Sequence, residues 1–409
     1  MRILMFSQYF WPENFQINDV VRSLAARCDR VDVLTGKPNY PDGVVVAGYR
    51  AWGCQTQTQD GVTIHRVPLL PRGRNSAVRL ALNYVSFVLS ALLFAPWMLR
   101  GRAFDAIFVY APSPILQALP ALFLGRIKHC PVILWVQDLW PQSLVATGYV
   151  RSPRVLRWVE KVVRFIYART DLILVQSRAF EQPVAALAPG KTIAYLPNSV
   201  DPMFVTPPVV QLPDIAPLRD GFSILFAGNI GAGQAVETIV EAASLLSGHA
   251  DIRFVVIGSG SRRDWMLEQA RARNLANLHL PGRFAQDTMP GLMRQASALL
   301  VTLADEPIFA ATVPNKIQAY LAVGRPILAC LNGEGARIVV EAGAGLAVPA
   351  QDGRALADAV LQLRAMSTEQ RMALGENGQR YFGLHFDHDR LVDQLIEHFR
   401  DNQRPRRVQ

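Results

Sequence analysis

At 409 residues the chain is too long for a single hydrophobic core and suits two domains of roughly 200 residues each. Half of the residues are hydrophobic and 18% are charged, which excludes a disordered or fibrous protein. The net charge of +9 fits nucleic acid, anionic lipid or phosphorylated substrates alike.

The opening MRILMF reads as a first buried strand and not as a secretory leader, because polar Ser7 and Gln8 end the apolar run at once. Short apolar runs then alternate with helical patterns, the mark of parallel sheets covered by helices. In the first half the predicted strands are Ile3–Phe6, Val31–Leu34, Val62–Arg66, Ala106–Tyr110, Val132–Val136 and Leu172–Val175. The four cysteines (Cys28, Cys54, Cys130, Cys330) are scattered without metal-ligand spacing and read as reduced thiols of a cytosolic protein.

Between two of these strands, residues 80–99 (LALNYVSFVLSALLFAPWML) carry no charge and are formally long enough to span a bilayer. Asn83, Ser86, Ser90 and Pro96 dilute the run and Arg79 and Arg100 flank it, which favours a helix lying against a membrane or buried in the domain over a span. Further on, Arg151, Arg154, Arg157, Lys161 and Arg164 fall within a helical sector of roughly 140°. Val155, Val159, Val162, Val163 and Ile166 take the other side. That face is either an ordinary solvated surface or one attracted to anionic headgroups, and a water-insoluble acceptor would account for both helices.

Proline-rich residues 206–221 are the predicted linker, after which the pattern restarts. The strands expected there are Ser223–Phe226, Arg253–Ile257, Leu278–Leu280, Ala298–Val301, Pro326–Leu328 and Gly345–Val348. The expected organisation is therefore α/β, with two doubly wound domains, residues 1–200 and 201–385, facing a cleft. A final helix over residues 386–401, strongest from Asp389 to Phe399, and a basic tail over 402–409 complete the chain.

Three loops of small residues end strands of the second domain: Gly228, Asn229 and Gly231, with a helix opening near Gln234; Gly258, Ser259 and Gly260; and Gly282 with Arg283. Glycine lets backbone approach an anion, and helix N-termini offer unpaired N–H groups with partial positive charge. One such loop is more often a plain turn; three on one sheet edge point to a nucleotide diphosphate. Lys316, in VPNK, is the one lysine near the predicted phosphates and is placed to offset charge on a departing diphosphate. Its plain alternative is a surface lysine in a first helical turn, where the dipole disfavours it. Asn315 caps that helix or binds the ligand. Asp138, after a first-domain strand, orients a substrate or caps a turn; Glu13, Asn14 and Gln16 in the first loop contact donor or acceptor, or are structural.

The motifs SQYFWPENFQINDV, TGKPNYPDG, VQDLWPQS, PNSVD, AGNIGAGQAVETIVEA, VPNKIQAYLAVGRPIL and NGEGARIVVEAGAGLAVP together resemble glycosyltransferase family 4 over nearly the whole chain. Within it they are most similar to the bacterial surface-polysaccharide branch that includes the O-antigen fucosaminyltransferase-like enzymes. The resemblance implies a GT-B fold whose C-terminal helix returns to the first domain. It also implies a nucleotide-sugar donor on the second domain, with uracil as the base, as substrate and not as cofactor. No metal, retention at the anomeric carbon and a lipid-linked saccharide acceptor at the inner membrane face complete the picture. Nucleic acid is not an expected partner, since the basic residues lack interleaved aromatics.

The sequence departs from the family at known positions. Ala311 and Ala319 stand where many members carry two glutamates, the second of which holds the donor's ribose; Gln318 or Glu334 are the substitutes in reach. Asn229 and Gln234 replace the arginine and lysine of the first phosphate loop, and Gln137 replaces a histidine. Two alternatives stay open at this point: a GT-B nucleotide-sugar epimerase, against which the apolar helix counts, and a non-catalytic nucleotide-sugar-binding subunit of polysaccharide assembly, which the missing glutamates favour.

Overall fold

The computed structural model describes residues 1–73, 76–146 and 152–403, and the chain divides into two units. The first holds Met1–Pro197 together with Asp389–Gln409, the second Asn198–His388. Arg151 of the expected basic face and the RPRRVQ end of the tail lie outside the described residues.

The first unit is built on an eight-stranded sheet: β1 (Arg2–Phe6), β2 (Arg30–Gly36), β3 (Gln55–Gln59), β4 (Val62–Val67), β5 (Ala106–Ala111), β6 (Val132–Val136), β7 (Leu172–Val175) and β8 (Ile193–Tyr195). Their order is β3-β4-β2-β1-β5-β6-β7-β8, parallel except for β3. β1 sits between β2 and β5, with Ile3 opposite Val31 on one side and Ala106 on the other. Helices cover both faces, so these strands read as unbroken apolar runs. Sequence periodicity missed β3 and β8. β3 is QTQTQ, a polar edge strand with no apolar side to betray it. It is made by a hairpin whose turn residues Asp60 and Gly61 both have positive φ, 50° and 78°, as two-residue hairpin turns require.

The second unit carries six parallel strands: β9 (Phe222–Asn229), β10 (Ile252–Ser259), β11 (Leu278–Gly282), β12 (Ala298–Thr302), β13 (Ile327–Cys330) and β14 (Gly345–Val348). The order is β11-β10-β9-β12-β13-β14, with one core on each face. The expected linker is corrected here. Residues 206–221 belong wholly to this unit, and Ile215 and Leu218 of the segment are buried in its core, with the short helix Ala216–Arg219 against β9 and β10. Proline density marked an irregular segment but not its burial.

The last helix, His388–Asp401, folds onto the first unit through Leu391, Val392, Leu395, Ile396 and Phe399. Phe399 meets Phe108 of β5 edge-on at 5.4 Å, and Arg27 pairs with Asp389 and Asp393.

The uncharged segment forms the helix Ala77–Met98, with the Ser76 hydroxyl accepting from the Arg79 amide at its start. One face, with Asn83, Phe87, Val88, Ala91 and Ala95, packs inward; Phe87 lies edge-on to Phe6 of β1. The other face leaves Val78, Leu82, Val85, Leu89, Leu93 and Trp97 exposed, a single stripe at spacings of three and four. It is therefore not a buried core helix. The helices Ala118–Lys128 and Pro153–Arg169 pack beside it in turn. The latter buries Val159, Val163, Ile166 and Tyr167 and exposes Arg154, Arg157, Lys161 and Arg164, but Val155 falls on the exposed side.

Candidate active site

In the second unit the predicted residues lie along the carboxyl edge of the parallel sheet, where open α/β sheets bind ligands. Gly228 and Asn229 end β9, Ser259 ends β10, Arg283 follows β11 and Glu334 follows β13. The glycines are there for space. Gly258 has φ +148°, and a Cβ on it would stand 1.8 Å from the Gly228 carbonyl oxygen. One on Gly260 would strike the Ile230 carbonyl, and one on Gly231 would crowd the Asn229 amide. Backbone thus packs on backbone at the ends of β9 and β10, leaving Asn229, Ser259 and Gly260 exposed at the rim. After Gly231 the chain makes a 3-10 turn (Ala232–Gln234), and the helix proper begins at Val236.

Lys316 joins the two motif regions. It is the second residue of the helix Asn315–Val323, and its ammonium donates to the Gln234 side-chain oxygen at 2.5 Å. Its Nζ lies 3.7 Å from the centroid of the Phe226 ring, and its stem covers Gly228, where a Cβ would come 2.8 Å from Cε. Burial pushes its pKa from 10.5 down to about 7. It has no ion-pair partner among the described residues. A half-buried cation of this kind is poised for an anionic ligand.

Other expected donor contacts separate on inspection. Asn315 is not the cap: Pro314 holds the cap position, and the Asn315 oxygen accepts from Asn198 at 3.2 Å. Gln318 is fully buried, with neither amide atom hydrogen-bonded among the described residues. Glu334 is bound by Arg337 through two contacts of 2.9 and 2.7 Å. Arg283 is exposed in the loop that follows the edge strand β11. Phe226 and Asn198 are the site residues that sequence reasoning missed. Asn198 stood inside a quoted motif, whereas Phe226 carried no signal beyond its place at the end of a buried strand.

In the first unit Glu13 is corrected from acceptor contact to structural clamp. One carboxylate oxygen accepts from the Asn39 and Tyr40 amides at 2.7 Å each, and the other from the Phe10 amide at 3.2 Å. This bond set ties the SQYFWPEN loop to the TGKPNYPDG loop. Asn39 extends it by accepting from the Arg72 amide, and Gln8 Nε2 donates to Asn83 Oδ1 of the apolar helix at 2.6 Å. Asn14 is exposed, and Gln16 starts the first helix with its amide atoms buried and unpaired.

Asp138 directly follows β6 and Gln137. It caps nothing and has no hydrogen-bond partner among the described residues. Burial raises its pKa from 3.8 to about 7. Tyr84 and Tyr110 stand beside it: burial pushes both phenols up, the Asp138 charge adds to the rise at Tyr110, and at Tyr84 it acts against a hydrogen bond with Ser113 and the Arg72 charge. Among the described residues no group of three His, Cys, Asp or Glu side chains is placed to hold a metal ion. All four cysteines are free thiols.

Residues 14–199 match the model of a glycosyl transferase 4-like domain, and residues 221–365 match that of the glycosyl transferases group 1. The chain belongs to the glycosyltransferases of family 4 type. This glycosyltransferase is 26% identical over 350 residues to a putative colanic acid biosynthesis glycosyl transferase, WcaI, of Escherichia coli K12, covering 79% of this chain and 82% of that one. It is 25% identical over 280 residues to a 2-deoxystreptamine N-acetyl-D-glucosaminyltransferase of Niallia circulans, covering 64% and 66%. Among solved structures it is similar to sucrose-phosphate synthase of Thermosynechococcus elongatus (TM-score 0.74, 17% identity, 98% of each chain). It is also similar to Anabaena Alr3699/HepE in complex with UDP (TM-score 0.67, 13% identity, 98% and 100%). The glycosyltransferase thus has the GT-B fold of two Rossmann-like domains.

Proposed function

We propose that this glycosyltransferase moves a sugar from a nucleotide diphosphate to a lipid-linked saccharide in surface-polysaccharide synthesis, with retention at the anomeric carbon. The observation that carries the reading is Lys316, a cation without a carboxylate partner among the described residues, held over the glycine-rich end of β9. Support for a uridine diphosphate donor comes from HepE, which holds UDP, and for polysaccharide synthesis from the colanic acid relative. An N-acetylated amino sugar is consistent with the N-acetylglucosaminyltransferase relative.

In the proposed reaction an acceptor hydroxyl oxygen bonds to the anomeric carbon as the bond from that carbon to the diphosphate oxygen breaks. The hydroxyl proton passes to the departing diphosphate on the same face of the sugar. The Lys316 ammonium, backbone amides and the exposed Arg283 stabilise the charge that develops, and no metal ion is needed for it. Asp138, half-buried and without a partner among the described residues, orients the acceptor hydroxyls.

The first unit supports a seat at the cytoplasmic face of the membrane. The exposed stripe of the Ala77–Met98 helix, Phe123 and Ile127 of its neighbour and Trp158 and Phe165 of the next lie beside exposed Arg154, Arg157 and Lys161. Apolar side chains with flanking cations suit an anionic bilayer surface.

Thermal-shift screening against UDP-, GDP- and dTDP-sugars tests the donor assignment, since a ligand that binds the folded state raises its melting temperature. A shift with one nucleotide class, lost in Lys316→Ala, is the expected result. No shift with any of them refutes the reading, and a shift without transfer to lipid-linked acceptors favours the non-catalytic subunit.

A further inference from the structure

Between the loop after β2 and the start of the apolar helix lies a groove of about 440 Å³, lined by Val44, Val45, Leu70, Pro71 and Leu82 with Arg79 at its rim. We propose that this groove seats the hydrocarbon chain of the lipid-linked acceptor, with the acceptor's phosphates on Arg79 and Arg72. The proposal rests on the lipid-linked reading above and specifies where the lipid sits.

Three observations converge on that occupant. The lining is apolar apart from one guanidinium, a combination that fits a chain ending in phosphate. Leu82 belongs both to the groove and to the exposed stripe of its helix, so the groove opens onto the face assigned to the bilayer. A chain drawn from the bilayer would pass from one to the other without crossing polar surface.

The third observation is charge. Arg72 follows Pro71 directly and stacks over the Tyr40 ring at 5.1 Å; Arg79 packs its stem on Gly73. Neither arginine has an ion-pair partner among the described residues. Arg72 and Asp138 both act on Tyr84, two residues beyond Leu82. Hydrocarbon, phosphates and saccharide would thus follow one another from Leu82 past Arg72 to Asp138, in the order in which a lipid-linked saccharide carries them.

The test is calorimetric titration of the full chain, below the detergent's micelle concentration, with farnesyl diphosphate, inorganic diphosphate and phosphatidylglycerol vesicles. Farnesyl diphosphate is expected to bind at least tenfold more tightly than inorganic diphosphate. Val44→Asp and Leu82→Gln, both at exposed positions, should abolish that advantage, and Arg79→Gln should weaken farnesyl diphosphate about tenfold. Vesicle binding should survive Val44→Asp. Equal affinity for the two diphosphates, indifference to all three substitutions, or full displacement by vesicles overturns the proposal, the last by making the occupant ordinary bilayer lipid. A persisting nucleotide-sugar thermal shift in that event confines the failure to the groove; its absence places the failure in the donor reading.

Discussion

The Lys316 ammonium stands 3.7 Å over the Phe226 ring and, among the described residues, has one hydrogen bond, to a neutral amide oxygen of Gln234. An aromatic face and an amide compensate only part of a cation's lost hydration, so the proton is held loosely. The group is charged below its pKa of about 7 and neutral above it. A bound diphosphate favours the charged form. Nucleotide-diphosphate affinity should therefore be greatest below pH 7 and fall by up to tenfold per pH unit between 7 and 9. Titrations in buffers of different ionisation enthalpy should show proton uptake on binding at pH 8. In Lys316→Ala the pH dependence should vanish along with turnover, while the melting temperature without ligand stays within a few degrees; wild-type turnover there removes the charge-stabilisation argument.

Gly228, under this lysine, and Gly258, its partner on β10, should answer differently to one methyl group. At Gly228 (φ +137°) the new Cβ meets the flexible end of Lys316 at 2.8 Å, so the lysine moves and the backbone strains. Gly228→Ala should cost roughly 1–2 kcal/mol of stability and most donor affinity. At Gly258 the Cβ meets a carbonyl oxygen at 1.8 Å, where nothing flexible gives way. Gly258→Ala should destabilise by roughly 3 kcal/mol or more and yield poorly soluble protein. Equal melting temperatures for the two variants would contradict this packing.

Glu13 gathers three backbone amides from two loops, so its role is to hold the carboxyl edge of the first sheet together. Glu13→Ala strands those donors and should cost roughly 3 kcal/mol or more. Glu13→Gln keeps one acceptor oxygen and should fall between the two. Denaturant melts measure this, and an acceptor KM that rises without loss of stability would restore a substrate contact instead.

Membrane contact is checked by replacing Leu89 and Leu93, both exposed on the apolar stripe, with glutamate. Each removes apolar contact and adds charge repelled by anionic lipid. The double variant should lose cosedimentation with phosphatidylglycerol vesicles at least tenfold and keep its melting temperature. Unchanged cosedimentation would mean that this stripe does not face lipid.

Twelve of the fourteen strands were legible in the sequence, because a strand buried on both faces must be apolar along its length. Gln55–Gln59 was not, since an edge hairpin is held by backbone bonds and its turn. At the site, the nearness of Gly228 and Lys316 was legible, because both motifs follow strands that end on one sheet edge. Between the alternatives left open for Glu13 and for the capping role of Asn315, only the structure chose. A carboxylate or amide looks the same in sequence whether it faces a ligand, a backbone amide or a neighbouring side chain, and only tertiary packing decides. The apolar helix shows the same limit, for composition gave its length while only packing gave its open face.

Asp138 offers the sharpest separation of stability from function. Its carboxyl titrates near 7 in the folded protein against 3.8 ordinarily, so the folded state holds the proton more tightly than the unfolded one. The stability this brings is complete below about pH 4 and is lost as pH rises through 7. At about 1.4 kcal/mol per unit, Asp138→Asn should stabilise the protein by roughly 2–4 kcal/mol at pH 8 and by little at pH 4. If Asp138 only filled space, activity would follow stability and the variant would be the better enzyme. As the residue that orients acceptor hydroxyls, its loss should instead lower kcat/KM for acceptor at least tenfold, leaving the nucleotide-sugar thermal shift intact. A more stable variant with undiminished transfer would take Asp138 out of the active site.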